Sequence, residues 1–212
     1  CALPILYAGR MTYRNIKNHY VLIGFNELSI NMIRELYDEC PSARILLMSG
    51  MESATVRHRI QSALPVEVER QVLVYFGNIE SIEELQRLNI ESAIEVYVLG
   101  DEERYGRDAK NIAIVHLVST LRGKCYDGKM MPVYVQFDSI PSYSNIQKMN
   151  LPPEVFCIEG KPNIFFRPFN LHENLARQLW SLYGADCERR YDPLDYRPIS
   201  ITQQPDGSWS AT

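Results

Sequence analysis

The residues most open to a chemical reading stand at the ends of apolar runs. Gly24-Phe25-Asn26-Glu27-Leu28-Ser29 follows the run Tyr20-Val21-Leu22-Ile23 and opens a segment of helical spacing. A glycine turn in that place can seat a pyrophosphate. The G-x-G-x-x-G pattern uses its second glycine for close backbone approach and its third for tight helix packing. Only Gly24 is present here; Asn26 and Ser29 take the other two positions, and both add bulk. The acid expected at the end of the second apolar run is also missing, because the chain reads Leu47-Met48-Ser49-Gly50-Met51 before Glu52. Free N–H groups at a helix start can still receive an anion. Gly24, Asn26, Glu27 and Ser29 are therefore candidate ligand-binding positions. The alternative is a domain of this shape that has lost nucleotide binding.

Carboxylates form a second group. Asp101-Glu102-Glu103 follows the fourth apolar run, Asp108 opens the next helical segment, and Asp138 follows the fifth run just after Gln136. Oxygen ligands of this kind suit a hard divalent cation such as Ca²⁺, which makes Asp101 and Asp138 candidate metal ligands. Arg104 and Arg107 lie close by in sequence. A solvated loop, with Asp108 favoured by the helix dipole, explains the same letters.

No catalytic residues emerge. There is no G-x-S-x-G and no H-E-x-x-H. Gly123-Lys124-Cys125 lacks the remainder of a phosphate loop, and His19, His58, His116 and His172 have no ligand spacing. Cys1, Cys40, Cys125, Cys157 and Cys187 are odd in number and form no C-x-x-C pair. That argues against a disulfide framework or zinc site and fits a reducing compartment.

The elements that must position these residues alternate. Apolar runs at Tyr20–Ile23, Arg44–Ser49, Gln71–Phe76, Glu95–Leu99, Pro132–Phe137 and Val155–Ile158 read as six strands. Helical spacing lies between them. Leu28, Met32 and Leu36 form one face of the first helix, with Ile33 and Tyr37 beside it; further helices are expected at Thr55–Ala63, Ser81–Leu88, Asp108–Leu121 and Ser142–Met149. Such alternation predicts an α/β fold, a Rossmann-like, doubly wound, mostly parallel sheet. A last amphipathic helix is expected over Asn170–Tyr183, after Pro168 and before Gly184. Leu171, Leu175 and Leu179 lie on one apolar stripe, with Trp180 and Tyr183 on a second face. Two apolar faces suggest burial against a partner subunit, so these five are candidate dimer-interface residues. Burial of both faces within one chain is the alternative.

The chain has 212 residues, a net charge of -4 and 46% apolar residues. That composition can fill one sizeable core and offers no general attraction to nucleic acid. No run reaches the roughly 20 apolar residues a membrane helix needs. The first residue is Cys1, which suggests a piece of a longer protein. The expected organisation is a linker over 1–18 from an upstream membrane part, a Rossmann-like lobe over 19–160, a crossover helix within 161–184, and an extended tail over 185–212.

In order and spacing the segments from His19 to about Tyr183 resemble the RCK, or TrkA-N, regulators of potassium conductance. The residues that carry the resemblance are His19 to Glu27, Phe76-Gly77-Asn78 with Ile82-Glu83-Glu84-Leu85, Ile90 to Leu99, Asp108-Ala109-Lys110-Asn111-Ile112, and Arg167-Pro168-Phe169. The resemblance implies a ligand-sensing gating domain, not an enzyme, on the cytoplasmic face of the cell membrane. It implies a homodimer through the crossover helix, a higher gating-ring assembly, and a membrane-embedded pore in the same or a partner protein. The degenerate glycine turn sets NAD(H) and other nucleotides behind a divalent cation as the expected ligand. An NAD(P)-binding oxidoreductase fragment is the competing class, and a purely structural dimerisation domain is a third.

Overall fold

The computed structural model describes residues 13, 16–103, 105–123, 129–148, 157–158, 161–176, 201–203 and 209–211. Six strands form its central sheet: β1 (Tyr20–Ile23), β2 (Ile45–Ser49), β3 (Val72–Phe76), β4 (Glu95–Val98), β5 (Met131–Gln136) and β8 (Ile164–Phe169). Their spatial order is β3-β2-β1-β4-β5-β8, and every pairing is parallel. This is the doubly wound order, with the direction of winding reversing at β1 and β4.

The strands read as continuous apolar runs because both faces of the sheet are covered. Val21, Leu22 and Ile23 are all fully buried. Alternate side chains divide between two cores. Val21, Ile23, Val96, Val98, Val133 and Val135 pack with Leu85 of α4 (Ile82–Gln86), with Ile114, Val115 and Val118 of α5 (Arg107–Gly123), and with Tyr143 of α6 (Ile140–Lys148). On the other face Tyr20, Leu22, Leu47 and Tyr97 pack with Ile33 and Leu36 of α1 (Ser29–Glu39), Val56 and Ile60 of α2 (Ser53–Ala63), and Val68 of α3 (Val66–Glu69). Each fully buried Val, Leu or Ile side chain contributes about 1.5–3 kcal/mol.

Three expectations are corrected. First, α1 begins at Ser29 and buries Ser29, Ile33 and Leu36, while Leu28 and Met32 are only half-buried. Leu28 stands at the cap, so the buried stripe is rotated by about one residue. Second, α3 was not expected; Pro65 precedes its first residue and fixes the entry. Third, the sixth strand of the sheet is Ile164–Phe169. Only Cys157–Ile158 of the expected Val155–Ile158 strand is described; it is β6 and pairs antiparallel with β7 (Lys161–Pro162). Helix follows β8 over residues 171–176. Asn170 caps it, its Oδ1 accepting from Glu173 N–H at 2.9 Å. Two further strands, β9 (Ile201–Gln203) and β10 (Trp209–Ala211), form an antiparallel pair within the expected tail.

Both prolines of the central sheet fall where a donor is not needed. Met131 N–H donates to Asn163 O and Phe137 N–H to Phe169 O, so odd-numbered residues of β8 face β5. Pro168 therefore faces the outer side of an edge strand, where proline is tolerated. Pro132 lies one residue before the paired stretch that β5 shares with β4, which begins at Val133.

Candidate functional site

The carboxyl ends of β1, β2, β4 and β5 bring together most of the residues singled out by sequence. Gly24 ends β1 with φ of +96°, and Gly100 follows β4 with φ of +74°. A Cβ built on Gly24 would lie 2.2 Å from the Gly100 carbonyl carbon, so the two backbones touch and admit no side chain between them.

Asp101 comes next, and its carboxylate is held by donors from two other strand ends. Phe25 N–H donates to Oδ1 at 3.0 Å, the Ser49 hydroxyl to the same oxygen at 2.5 Å, and Gly50 N–H to Oδ2 at 3.0 Å. Asn26 is only 2% exposed. Its amide nitrogen donates to Leu99 O at 3.0 Å, Gly100 O at 3.3 Å and Gln136 Oε1 at 2.9 Å, while its Oδ1 accepts from Leu28 N–H at 2.9 Å. Ser29 is fully buried, and its hydroxyl accepts from Asn26 N–H at 2.9 Å. Glu27 is exposed at the rim. Arg59 of α2 lies over the Phe25 ring, 5.9 Å from its centroid, and pairs with Glu102.

Asp138 sits elsewhere in the network. Arg107 is 2% exposed and forms a salt bridge with Asp138 Oδ2 at 2.9 Å; it also donates to Glu102 O at 2.9 Å. Gln136 donates to Asp138 Oδ1 at 2.9 Å. Asp108 accepts from the N–H groups of Asp138 and Ser139 at 2.8 and 3.2 Å, which pins the loop after β5 to the start of α5. Asp101 and Asp138 thus each have partners of their own. Among the described residues no cluster of three or more His, Cys, Asp or Glu could hold a metal ion.

A cavity of about 190 Å³ opens beside Asp101. Gly50, Asn78, Glu80, Asp101, Arg107 and Asn111 are among its lining residues. Asn111 is fully buried and donates to Gln136 O at 2.9 Å, yet its Oδ1 has no hydrogen-bond donor, and Arg107 Nε has no acceptor. Buried polar atoms left in this way are uncommon. Sequence reasoning overlooked Arg107 and Asn111 as site residues. Their i, i+4 spacing puts both on one face of α5, a signal that was available.

Of the expected interface residues, Leu171 is half-buried and Leu175 is 47% exposed. Leu179, Trp180 and Tyr183 lie outside the described residues. Of the histidines, His58, His116 and His172 are exposed, and His19 is buried against Leu88 O at 2.9 Å.

An all-parallel, doubly wound sheet with a glycine turn after β1 defines a Rossmann-like domain, here with its own side chains folded into the turn. Within that class the chain is an RCK/TrkA-N-like domain in fold. It is similar to the TrkA-N domain of the inner membrane protein ybaL from Escherichia coli, with a TM-score of 0.51 at 14% identity over 80% of this chain and 98% of that domain. It is also similar to GsuK bound to ADP, with a TM-score of 0.53 at 10% identity over 85% of this chain and 38% of that one. The GsuK RCK domain aligns at a TM-score of 0.49 and 11% identity, over 67% of this chain and 26% of that one. The chain spans 22 to 38% of the GsuK chains it matches. No protein-family model matches the chain, and no curated protein does.

Proposed function

We propose that this chain is a non-enzymatic regulatory domain of a potassium channel or potassium transport system, working at the cytoplasmic face of the cell membrane. The observation that carries the reading is the fold, whose alignment covers 98% of a TrkA-N domain. Among the described residues no helix is long and apolar enough to cross a membrane, so on this reading the pore is another part of the same protein or a partner. The domain works as a homodimer, within a larger ring, through the helix that begins at residue 171. Its regulatory ligand takes the cavity beside Asp101, where Asn111 Oδ1 and Arg107 Nε lack partners. Gating follows if that ligand binds one arrangement of the paired domains better than the other.

The related fold of GsuK is described with ADP bound. ADP is therefore the first ligand to try, with Ca²⁺, Mg²⁺ and NADH beside it. An NAD(P)-dependent oxidoreductase fragment is less well supported. A dinucleotide seated across the β1–α1 turn would need the N–H groups that Asp101 already occupies, whereas ADP is tried at the cavity.

The test is potassium flux through the full-length protein that contains this chain, measured in cells or proteoliposomes. Leu171→Asp with Leu175→Asp should change the response to ligand without abolishing expression. A full-length protein that carries no potassium, or whose flux ignores both substitutions and every ligand tried, sinks the reading.

A further inference from the structure

We infer that the Asp101 carboxylate is a built-in anion that fills the phosphate seat of the β1–α1 turn and keeps external phosphates out of it. In turns of this kind the N–H groups after the first strand are what a phosphate oxygen accepts from. Here the donors converge on a side chain of the same molecule. Phe25 N–H, Gly50 N–H and the Ser49 hydroxyl come from two different strand ends and meet at one carboxylate. Two further donors of the turn are taken as well, Leu28 N–H by Asn26 Oδ1 and Asn26 N–H by Ser29 Oγ.

The occupant is also tethered. Asp101 follows Gly100, whose backbone rests against Gly24, so the carboxylate is delivered to the turn by the same close approach that joins β1 to β4. A tethered group competes at high effective concentration. An incoming phosphate would have to displace three charge-assisted hydrogen bonds and then lie beside the displaced negative charge. The cavity with the unpartnered Asn111 Oδ1 is lined by Gly50 and Asp101 but not by Phe25 or Ser49, so Phe25 N–H belongs to the turn alone. Ligand entry there and exclusion from the turn are separate properties, so the inference does not rest on the regulatory reading.

Amide proton–nitrogen spectra of the full chain, titrated with inorganic phosphate and with ADP, provide the test. In the unaltered chain the Phe25 and Gly50 amide signals should stay in place with phosphate, and Phe25 with ADP as well, even if ADP moves signals of the cavity-lining Gly50, Asn78 or Gly100. In Asp101→Ala both amides should move saturably with phosphate, a gain of about tenfold or more in affinity. Saturable movement of Phe25 and Gly50 in the unaltered chain overturns the inference, as does a folded Asp101→Ala chain that gains nothing. If Asp101→Ala does not fold, the unaltered chain decides by the same two signals, with Asp101→Ser as the second variant. Failure of potassium flux would leave these signals unchanged, so the two ideas fall separately.

Discussion

Gly24 and Gly100 meet back to back where β1 and β4 end, 2.2 Å separating the Gly100 carbonyl carbon from the place a Gly24 Cβ would take. Both have positive φ, which adds backbone strain to the overlap for any other residue. Gly24→Ala should destabilise the fold by about 3 kcal/mol or more. Gly100→Ala should be milder, because its Cβ would meet side-chain atoms, Arg107 Cγ at 2.7 Å and Asn111 Oδ1 at 2.9 Å, and not backbone at 2.2 Å. Urea midpoints compare the two; equal and small losses would show that the contact matters little.

Asn26→Gly restores the second glycine of a dinucleotide turn, and we expect it to harm the protein without gaining a cofactor. The amide of Asn26 bonds Leu99 O, Gly100 O, Gln136 Oε1 and Leu28 N–H, all lost in the variant. About 2–3 kcal/mol should be lost, since buried acceptors remain behind without donors. NADH affinity should not improve, because Asp101 still holds Phe25 N–H. Calorimetry showing tight NADH binding in Asn26→Gly would contradict this.

Arg107 is buried and paired with the 28% exposed side chain of Asp138. Arg107→Met removes the guanidinium and leaves Asp138 and Glu102 O without it. The expected loss is about 2–3 kcal/mol, below that of a fully buried pair because Asp138 is partly solvated. Arg107→Lys should recover little, since one ammonium cannot serve both partners from the same place. A variant as stable as the unaltered chain in thermal melts would refute the role.

Burial holds the His19 ring below its ordinary value of 6.5, partly offset by its hydrogen bond to Leu88 O and by Glu91. The unfolded chain then takes the proton more readily than the folded one. Stability is therefore full above about pH 6.5 and falls as pH drops through the window below it, levelling once the folded ring also protonates. His19→Gln should remove that slope below about pH 6.5. An unchanged slope in the variant would place the pH dependence elsewhere.

Self-association should weaken when the exposed side of the last described helix is charged. Leu175 is 47% exposed, and Leu171 lies one turn before it. Leu171→Asp with Leu175→Asp should raise the dimer dissociation constant about a hundredfold or more if both side chains are buried between copies. Sedimentation equilibrium reads this directly; an unaltered chain that stays monomeric at high micromolar concentration removes the interface.

The first five strands were legible because burial on both faces writes them as unbroken apolar runs, such as Val21-Leu22-Ile23. The sixth was missed because Pro168 looks like a helix entry, whereas an outward-facing edge position tolerates it. Asp101 was legible as a charge at a strand end but not as a hydrogen-bond acceptor. The partners that decide its role, Phe25 and Gly50, are 76 and 51 residues away. Asn26 was read as bulk in the way of a phosphate. Its polar atoms, which tie β1 to β4 and β5, matter as much as its volume, and periodicity carries no signal for such bonds.

Pro168 also bears on how copies of this chain can meet. Among the described residues β8 is an edge strand that presents its even-numbered residues outward, and at Pro168 there is no N–H to offer. A strand from another molecule laid along that edge would find the ladder interrupted near the carboxyl end of β8. Fibre-like growth by strand addition is opposed there by a single covalent ring.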